Sequence, residues 1–304
     1  MKEYTKKQRI TAYAILALII IVQIIYTTFT FVYKKEGYHS DEVWSYGLAN
    51  SYYKPFIHMK SGIANSIVTH EAYTEEAYDN NNKWISGKVF KDYLTVQQDE
   101  RFSYGSVIYN QTLDNHPPLY YCLIHTISSL FPDRFSFIYG YILNCIFLIV
   151  TQIFLYKLCL LVLKNKNIYI PLVVCGLYAF GIGSVSTFIF IRIYAMLAML
   201  ITMHMYFQLK YIEYPDKSLK KLLPPVLITA FVGFMTEYLF IAAAGICTAC
   251  ICLIMLFRKQ IKKMFIWGLS MLATLIVFFT LYSSALNQIG GYELTTSFTP
   301  YEQF

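Results

Sequence analysis

The sequence predicts an all-α polytopic membrane protein, a transmembrane helix bundle with surface helices in a long first external loop. Three observations carry this expectation. The chain is 57% hydrophobic and only 14% charged, against about 25% charged residues in an ordinary soluble domain. Apolar blocks that approach or exceed the roughly 20 residues needed to cross a bilayer recur along it. The charges are also sorted: residues 34–115 hold 11 acidic and 8 basic residues, while the remainder holds 17 basic and 7 acidic.

The first apolar block runs over 10–33, with Gln23 and a few threonines as its interruptions. Its apolar core is longer than the 7–15 residues of a signal peptide and no A-x-A-like site follows, so it reads as an anchor. Lys2, Lys6, Lys7 and Arg9 precede it, which predicts a cytoplasmic N-terminus by the positive-inside rule. Residues 1–33 are therefore read as a cytoplasmic tail and first transmembrane helix. Residues 34–115 follow as an external loop with juxtamembrane helices, and 116–285 as a transmembrane bundle. Residues 286–304 are read as an external segment that starts a missing C-terminal part.

Within the bundle, apolar blocks cover 117–131, 136–163, 168–190, 193–212, 222–257 and 264–285. Block 222–257 is too long for one span and predicts a hairpin. Block 117–131 conflicts with the charge pattern, and hydropathy leaves open whether it crosses or re-enters. Basic clusters at Lys164/Lys166, Lys210–Lys221 and Arg258–Lys263 are expected on the cytoplasmic side of a plasma membrane. The net charge of +7 then reflects anchoring at a membrane surface, and no nucleic-acid partner is implied. Seven cysteines lie in apolar blocks. Cys247, Cys250 and Cys252 mimic a metal spacing, but a zinc site needs a fourth ligand and a polar surround, so they read as small packing residues.

Inside the loop, Ser40 suits an N-cap with Asp41 and Glu42 in the first helical turn. Trp44, Leu48 and Tyr52 recur every four residues and predict a short helix lying on the membrane surface. Residues 86–96 predict a second short helix, and 70–83 a polar tip. Asn110-Gln111-Thr112 matches a glycosylation acceptor, a motif that also arises by chance.

Four stretches carry candidate chemistry. Asp41 lies eight residues past Tyr33, at the outer surface, where a carboxylate can serve as general base towards a hydroxyl. Ordinary helix N-terminal charge accounts for the same residue. In LDNHPPLYY, Pro117 and Pro118 fit first helical positions and place Asp114 and His116 at a helix N-terminus, the end that attracts anions. Arg192 stands alone in apolar sequence, where an ionisable residue is costly and suits a phosphate; snorkelling to the interface is the alternative. Glu237 is similarly isolated, and two readings stay open: an exposed place at the outer turn of the 222–257 hairpin, or a position facing a cavity.

Together these stretches resemble glycosyltransferase family 39 of the GT-C superfamily, which includes protein O-mannosyltransferases and the lipid A aminoarabinose transferase. The resemblance rests on Asp41-Glu42 after the first span and on His116–Tyr121 opening the next apolar segment. It rests also on Arg192 and Tyr194 as an R-x-Y at a later span's outer end, and on TEYLF over 236–240. It implies a GT-C-type helix bundle and transfer of a sugar from a polyprenyl-phosphate-linked donor to a protein, lipid or glycan acceptor outside the membrane. Asp41 would deprotonate the acceptor hydroxyl, with inversion at the anomeric carbon. Glu42, Asp114 and His116 would orient sugar or acceptor, and Arg192 would steady the departing phosphate. Glu237 stands where the family usually has His, so that role does not transfer, and family members usually continue beyond this C-terminus. No cofactor is required by the spacing, although nearby carboxylates could hold a divalent metal ion. Two other classes stay open: a non-catalytic transporter or flippase of lipid-linked sugars, and an inactive fragment or scaffold.

Overall fold

The computed structural model describes residues 4–57, 86–213 and 219–289, and among them every regular element is a helix. In chain order these are α1 (Lys6–Phe29) with a π-helical extension (Thr30–Lys34), α2 (Ser40–Asn50), α3 (Gly87–Leu94), α4 (Tyr104–Thr112), α5 (Leu119–Leu130), α6 (Ile138–Val162), α7 (Ile170–Phe180), α8 (Ile182–Ile189), α9 (Tyr194–Glu213), α10 (Leu219–Phe234), α11 (Leu239–Phe257) and α12 (Ile261–Leu281). The chain forms two compact units. One comprises Met1–Gly37 and Gly140–Val277, the other Tyr38–Tyr139 and Phe278–Phe304. The sequence-predicted tip at 70–83 and most of the segment 286–304 lie outside the described residues.

The first unit contains the long apolar helices. α1 opens with a capping box: Thr5 Oγ1 accepts from Gln8 N at 3.2 Å and Gln8 Oε1 from Thr5 N at 3.0 Å. Its buried residues Ala12, Leu16, Ile20, Gln23 and Thr27 form one stripe at helical spacing, while Leu18, Ile21 and Ile25 are exposed. A one-sided stripe in an otherwise apolar helix is what hydrocarbon permits, because lipid tails solvate the outer face. Four helical segments among the described residues are long and apolar enough to cross a membrane: Lys6–Lys34, Ile138–Val162, Leu239–Phe257 and Ile261–Leu281. They fit a multi-pass membrane protein.

Two sequence expectations take a different form. The block 168–190 is broken at Gly181 into α7 and α8, bent by 60°. The expected hairpin over 222–257 is present, but its first arm α10 has only 16 residues and carries Pro224 and Pro225 inside it. The polar residues of the bundle explain part of its packing. Gln152 Nε2 donates to Gln23 Oε1 at 2.6 Å and to the Cys175 carbonyl at 3.2 Å, and Gln23 Nε2 donates to Ser184 Oγ at 3.2 Å. One buried amide chain thus joins α1, α6, α7 and α8. Between α9 and α10, His204 Nδ1 meets Thr229 Oγ1 at 2.9 Å and His204 Nε2 meets Gln208 Nε2 at 2.7 Å. In a medium that offers no water, such bonds hold helices in register.

The second unit is built around α2. Helices α3, α4 and α5 all pack on it, and its last turn supplies the anchor points. The final carbonyls of a helix have no partner within it. Here Ser51 N donates to Gly47 O at 2.9 Å, Asn110 Nδ2 from α4 donates to Leu48 O at 3.1 Å, and His125 Nδ1 from α5 bonds Ala49 O at 2.8 Å. Asn50 Nδ2 donates to Leu94 O, at the end of α3, at 2.8 Å. Asn110 is fully buried in this role, so the glycosylation match is a structural asparagine. The predicted surface stripe does not form as one face: Leu48 is buried whereas Trp44 and Tyr52 are half exposed, and Tyr52 lies beyond the helix end. The neighbouring helices claim Leu48. The helix expected over 86–96 is α3, capped by Ser86, whose Oγ accepts from Val89 N at 3.3 Å. α5 has 12 residues, about 18 Å of helix, too short to cross a hydrocarbon core of about 30 Å by itself.

Close approach of α3 to α2 depends on Gly47, where an added Cβ would run into the ring of Tyr93. Tyr93 cannot readily yield, because its hydroxyl donates to Pro55 O at 2.9 Å in a buried position. Gly47→Ala should therefore destabilise the protein by about 1–3 kcal/mol, the usual cost of overpacking. Thermal unfolding in detergent measures this, and an unchanged midpoint would contradict the packing.

Candidate functional site

The acidic first turn of α2 is set by a capping box that uses histidine. His39 is the N-cap, one residue earlier than the Ser40 expected from sequence. Its Nδ1 accepts from Asp41 N at 3.2 Å, while Glu42 Oε2 accepts from His39 N at 2.9 Å. Two of the orphan donors at the helix start are satisfied reciprocally. The pair of carboxylates is thereby divided. Glu42 is fully buried with one oxygen committed to the box. The Asp41 side chain keeps 38% of its surface, and its Oδ1 lies 3.5 Å from His39 Nδ1. That nitrogen cannot accept from Asp41 N–H and donate to the Asp41 carboxylate at once. The 3.2 Å cap bond is the shorter of the two contacts.

Asp114 and His116 also belong to this unit, and the structure brings them together. His116 Nδ1 lies 3.0 Å from Asp114 Oδ2. A carboxylate only accepts, so His116 Nδ1 is the donor of this bond. Both side chains are largely enclosed, at 12% exposure for Asp114 and 21% for His116. They precede α5, whose N-cap is Pro118, so the prolines sit slightly earlier than the first helical positions that the sequence suggested. The turn is fixed by a residue that sequence reading missed. Gln288 Nε2 donates to the Asp114 carbonyl at 2.5 Å and to the Gln111 carbonyl at 2.7 Å. A contact across 174 positions leaves no local signal.

In the first unit, Arg192 lies in the turn between α8 and α9, buried to 7% exposure. Tyr194 is the first residue of α9 and stacks on Phe190, with ring centroids 6.1 Å apart. The turn is held from two sides. Asn144 Nδ2 donates to Phe188 O and Phe190 O, each at 3.0 Å, and Lys35 Nζ donates to Ile189 O at 2.9 Å. Lys35 thus binds a carbonyl at the end of α8, in the turn whose backbone carries Arg192. Lys34 and Lys35 follow the predicted outer end of the first span, against the positive-inside rule, and that departure was the available sequence signal for Lys35. Glu237 is buried in the 235–238 turn, with Oε1 3.4 Å from Leu239 N at the start of α11. An acid at this end of a helix is favoured by the helix dipole. Among the described residues, no three of His, Cys, Asp and Glu converge as a metal-ligand set.

The α2 and α5 contact also carries a titratable group. His125 is buried, donates Nδ1–H to Ala49 O, and its Nε2 is enclosed with no hydrogen-bond partner. Burial holds its pKa below the ordinary value, opposed by the bond to the Ala49 carbonyl. The unfolded chain therefore takes up a proton first, and stability falls as pH drops below about 6.5. His125→Gln keeps an N–H for the carbonyl and removes the titration. We expect its melting temperature to fall less than that of the unsubstituted protein between about pH 7.5 and pH 5.5. Equal slopes would show that His125 does not titrate with folding.

No protein-family model, no curated protein and no solved structure matches this chain.

Proposed function

We propose that the protein is a glycosyltransferase that moves a sugar from a polyprenyl-phosphate-linked donor to an acceptor hydroxyl on the external membrane face. The observation that carries this reading is the division of labour on α2. A buried Glu42 fixes the helix start, and Asp41 beside it keeps a partly exposed carboxylate a few residues beyond the candidate span Lys6–Lys34. The sorted charges of the sequence support an external location for α2. The Asp114–His116 pair, enclosed in the same unit, supplies a second oriented polar group for sugar or acceptor.

In the reaction, Asp41 accepts the proton of the acceptor hydroxyl. The hydroxyl oxygen forms a bond to the anomeric carbon, the bond from that carbon to the phosphate oxygen breaks, and the polyprenyl phosphate leaves with the electron pair. One displacement inverts the anomeric centre. Arg192 keeps the role its sequence context implies, a cation for the phosphate, and Lys35 reinforces the positive charge of its turn. A divalent ion is not required by this scheme and is compatible with it.

A second reading draws on a specific feature. The 60° break between α7 and α8, with buried Gln152 bonded to a carbonyl of α7, resembles the interrupted helices of transporters. It favours movement of a lipid-linked sugar without chemistry.

One experiment separates them. Full-length protein in liposomes is supplied with radiolabelled polyprenyl-phosphate sugars and envelope glycan, lipid or peptide acceptors. Asp41→Asn should lower transfer by about 10²–10⁴-fold, the scale of a lost general base, with donor binding retained. Transfer unaltered by Asp41→Asn removes Asp41 as the base, and absence of transfer with every donor and acceptor rejects the proposal. Movement of intact donor across the bilayer without transfer establishes the transporter instead.

A further inference from the structure

The second unit contains a cavity of about 500 Å³ whose lining includes Tyr52, Phe56, Lys54, Lys88, Asp92 and Glu100. Its volume lies in the range of about 300–1,000 Å³ that small-molecule sites occupy. None of these residues figured among the candidates drawn from the sequence.

The walls are held in place. Tyr93, another lining residue, anchors α3 to the 51–57 segment through Pro55 O at 2.9 Å. Ser51 Oγ lies 2.6 Å from Gly47 O and 2.5 Å from Lys54 O, and its single hydrogen serves one of the two at a time. Tyr53 has a φ of 50°, a left-handed conformation that a bulky residue adopts only when the surroundings impose it. Tyr53 N donates to Ser106 Oγ at 2.8 Å in this conformation. The backbone strain lies next to Tyr52, whose ring is half exposed and belongs to the cavity wall.

The lining chemistry narrows the occupant. Lys54 and Lys88 balance Asp92 and Glu100, so neither a strong anion nor a strong cation is selected. Two carboxylates offer acceptors and two ammonium groups offer donors, and charged partners make the stronger hydrogen bonds. Tyr52 and Phe56 add flat apolar faces. A ring with hydroxyls around its edge and C–H groups on its face satisfies both demands. Glu100 is only partly solvated: burial raises its pKa, the Gln97 amide and Lys54 lower it, and Asp99 and Asp92 raise it further.

We infer that this cavity binds a neutral saccharide through stacking on Tyr52 and Phe56 and hydrogen bonds to Asp92, Glu100, Lys54 and Lys88. Assigning that saccharide to the acceptor of the transfer rests on the proposed function. Saccharide binding itself does not.

The test uses the full chain in lipid nanodiscs with maltotriose, mannotriose and triacetylchitotriose as probes, read by saturation-transfer NMR and titration calorimetry. At least one should bind with a Kd below about 10 mM. Tyr52→Ala and Asp92→Asn should each weaken it about tenfold, the scale of one lost ring contact or charged hydrogen bond. Tyr104→Phe, which loses only a bond to Thr126, should bind like the unsubstituted protein, and equal melting temperatures establish that all variants fold. No binding by any probe, binding indifferent to Tyr52→Ala and Asp92→Asn, or preference for an uncharged tripeptide overturns the inference. Asp41→Asn keeps the two claims apart. Saccharide binding with no sugar transfer rejects the transferase and leaves the cavity, and transfer indifferent to Asp41→Asn removes only Asp41 as the base. Transfer abolished by Asp41→Asn with no saccharide binding rejects the cavity alone.

Discussion

The second unit depends on how the last turn of α2 is terminated. Three carbonyls there have no partner inside the helix, and Ser51, Asn110 and His125 each satisfy one of them. Because the donors come from the following loop, from α4 and from α5, one local requirement fixes the positions of two other helices. An unmet buried carbonyl costs about 1–3 kcal/mol, so the arrangement is enforced. Its consequence lies at the other end of α2. With the C-terminus buried in side-chain donors, the N-terminal turn with His39, Asp41 and Glu42 keeps a defined direction within the unit, and the Asp41 side chain stays partly exposed.

A second constraint governs the unit of long apolar helices. Its outer faces are apolar and non-specific, so the information that pairs one helix with another sits in few polar residues. Gln23, Gln152 and Ser184 join α1, α6 and α8 through two hydrogen bonds, and His204 with Gln208 and Thr229 joins α9 to α10. Lys35 and Asn144 act on the carbonyls that the end of α8 leaves unpaired. These residues are costly to place in an apolar medium and are retained where they meet backbone or one another. The turn that carries Arg192 is held by the same rule.

Part of the candidate site was legible along the chain. Asp41 follows an apolar span, Asp114 and His116 precede a proline-started helix, and Arg192 stands in apolar sequence. Each is an ionisable residue where local composition does not require one. Glu42 and Glu237 had the same signature, yet one closes a capping box and the other lies against the start of α11. Composition marks both as unusual, and only the positions of nearby amides reveal what they hold. The cavity beside α3 had no signature at all. Its lining residues are ordinary for an exposed loop, and they acquire meaning only because Tyr93 docks against Gly47 and Pro55.

The sequence by itself determined the class of this protein. Long apolar blocks must become helices in a bilayer, since no water is present to satisfy their backbone, and their lengths and flanking charges are read directly. The tertiary structure decided what sequence order does not encode. It split the block 168–190 at Gly181, shifted the α2 cap to His39, buried Asn110, and brought Gln288 to the Asp114 turn. The physical reason is the same in each case. Hydropathy is a property of a residue and its neighbours, whereas the partner of a buried hydrogen-bonding group can lie anywhere in the chain.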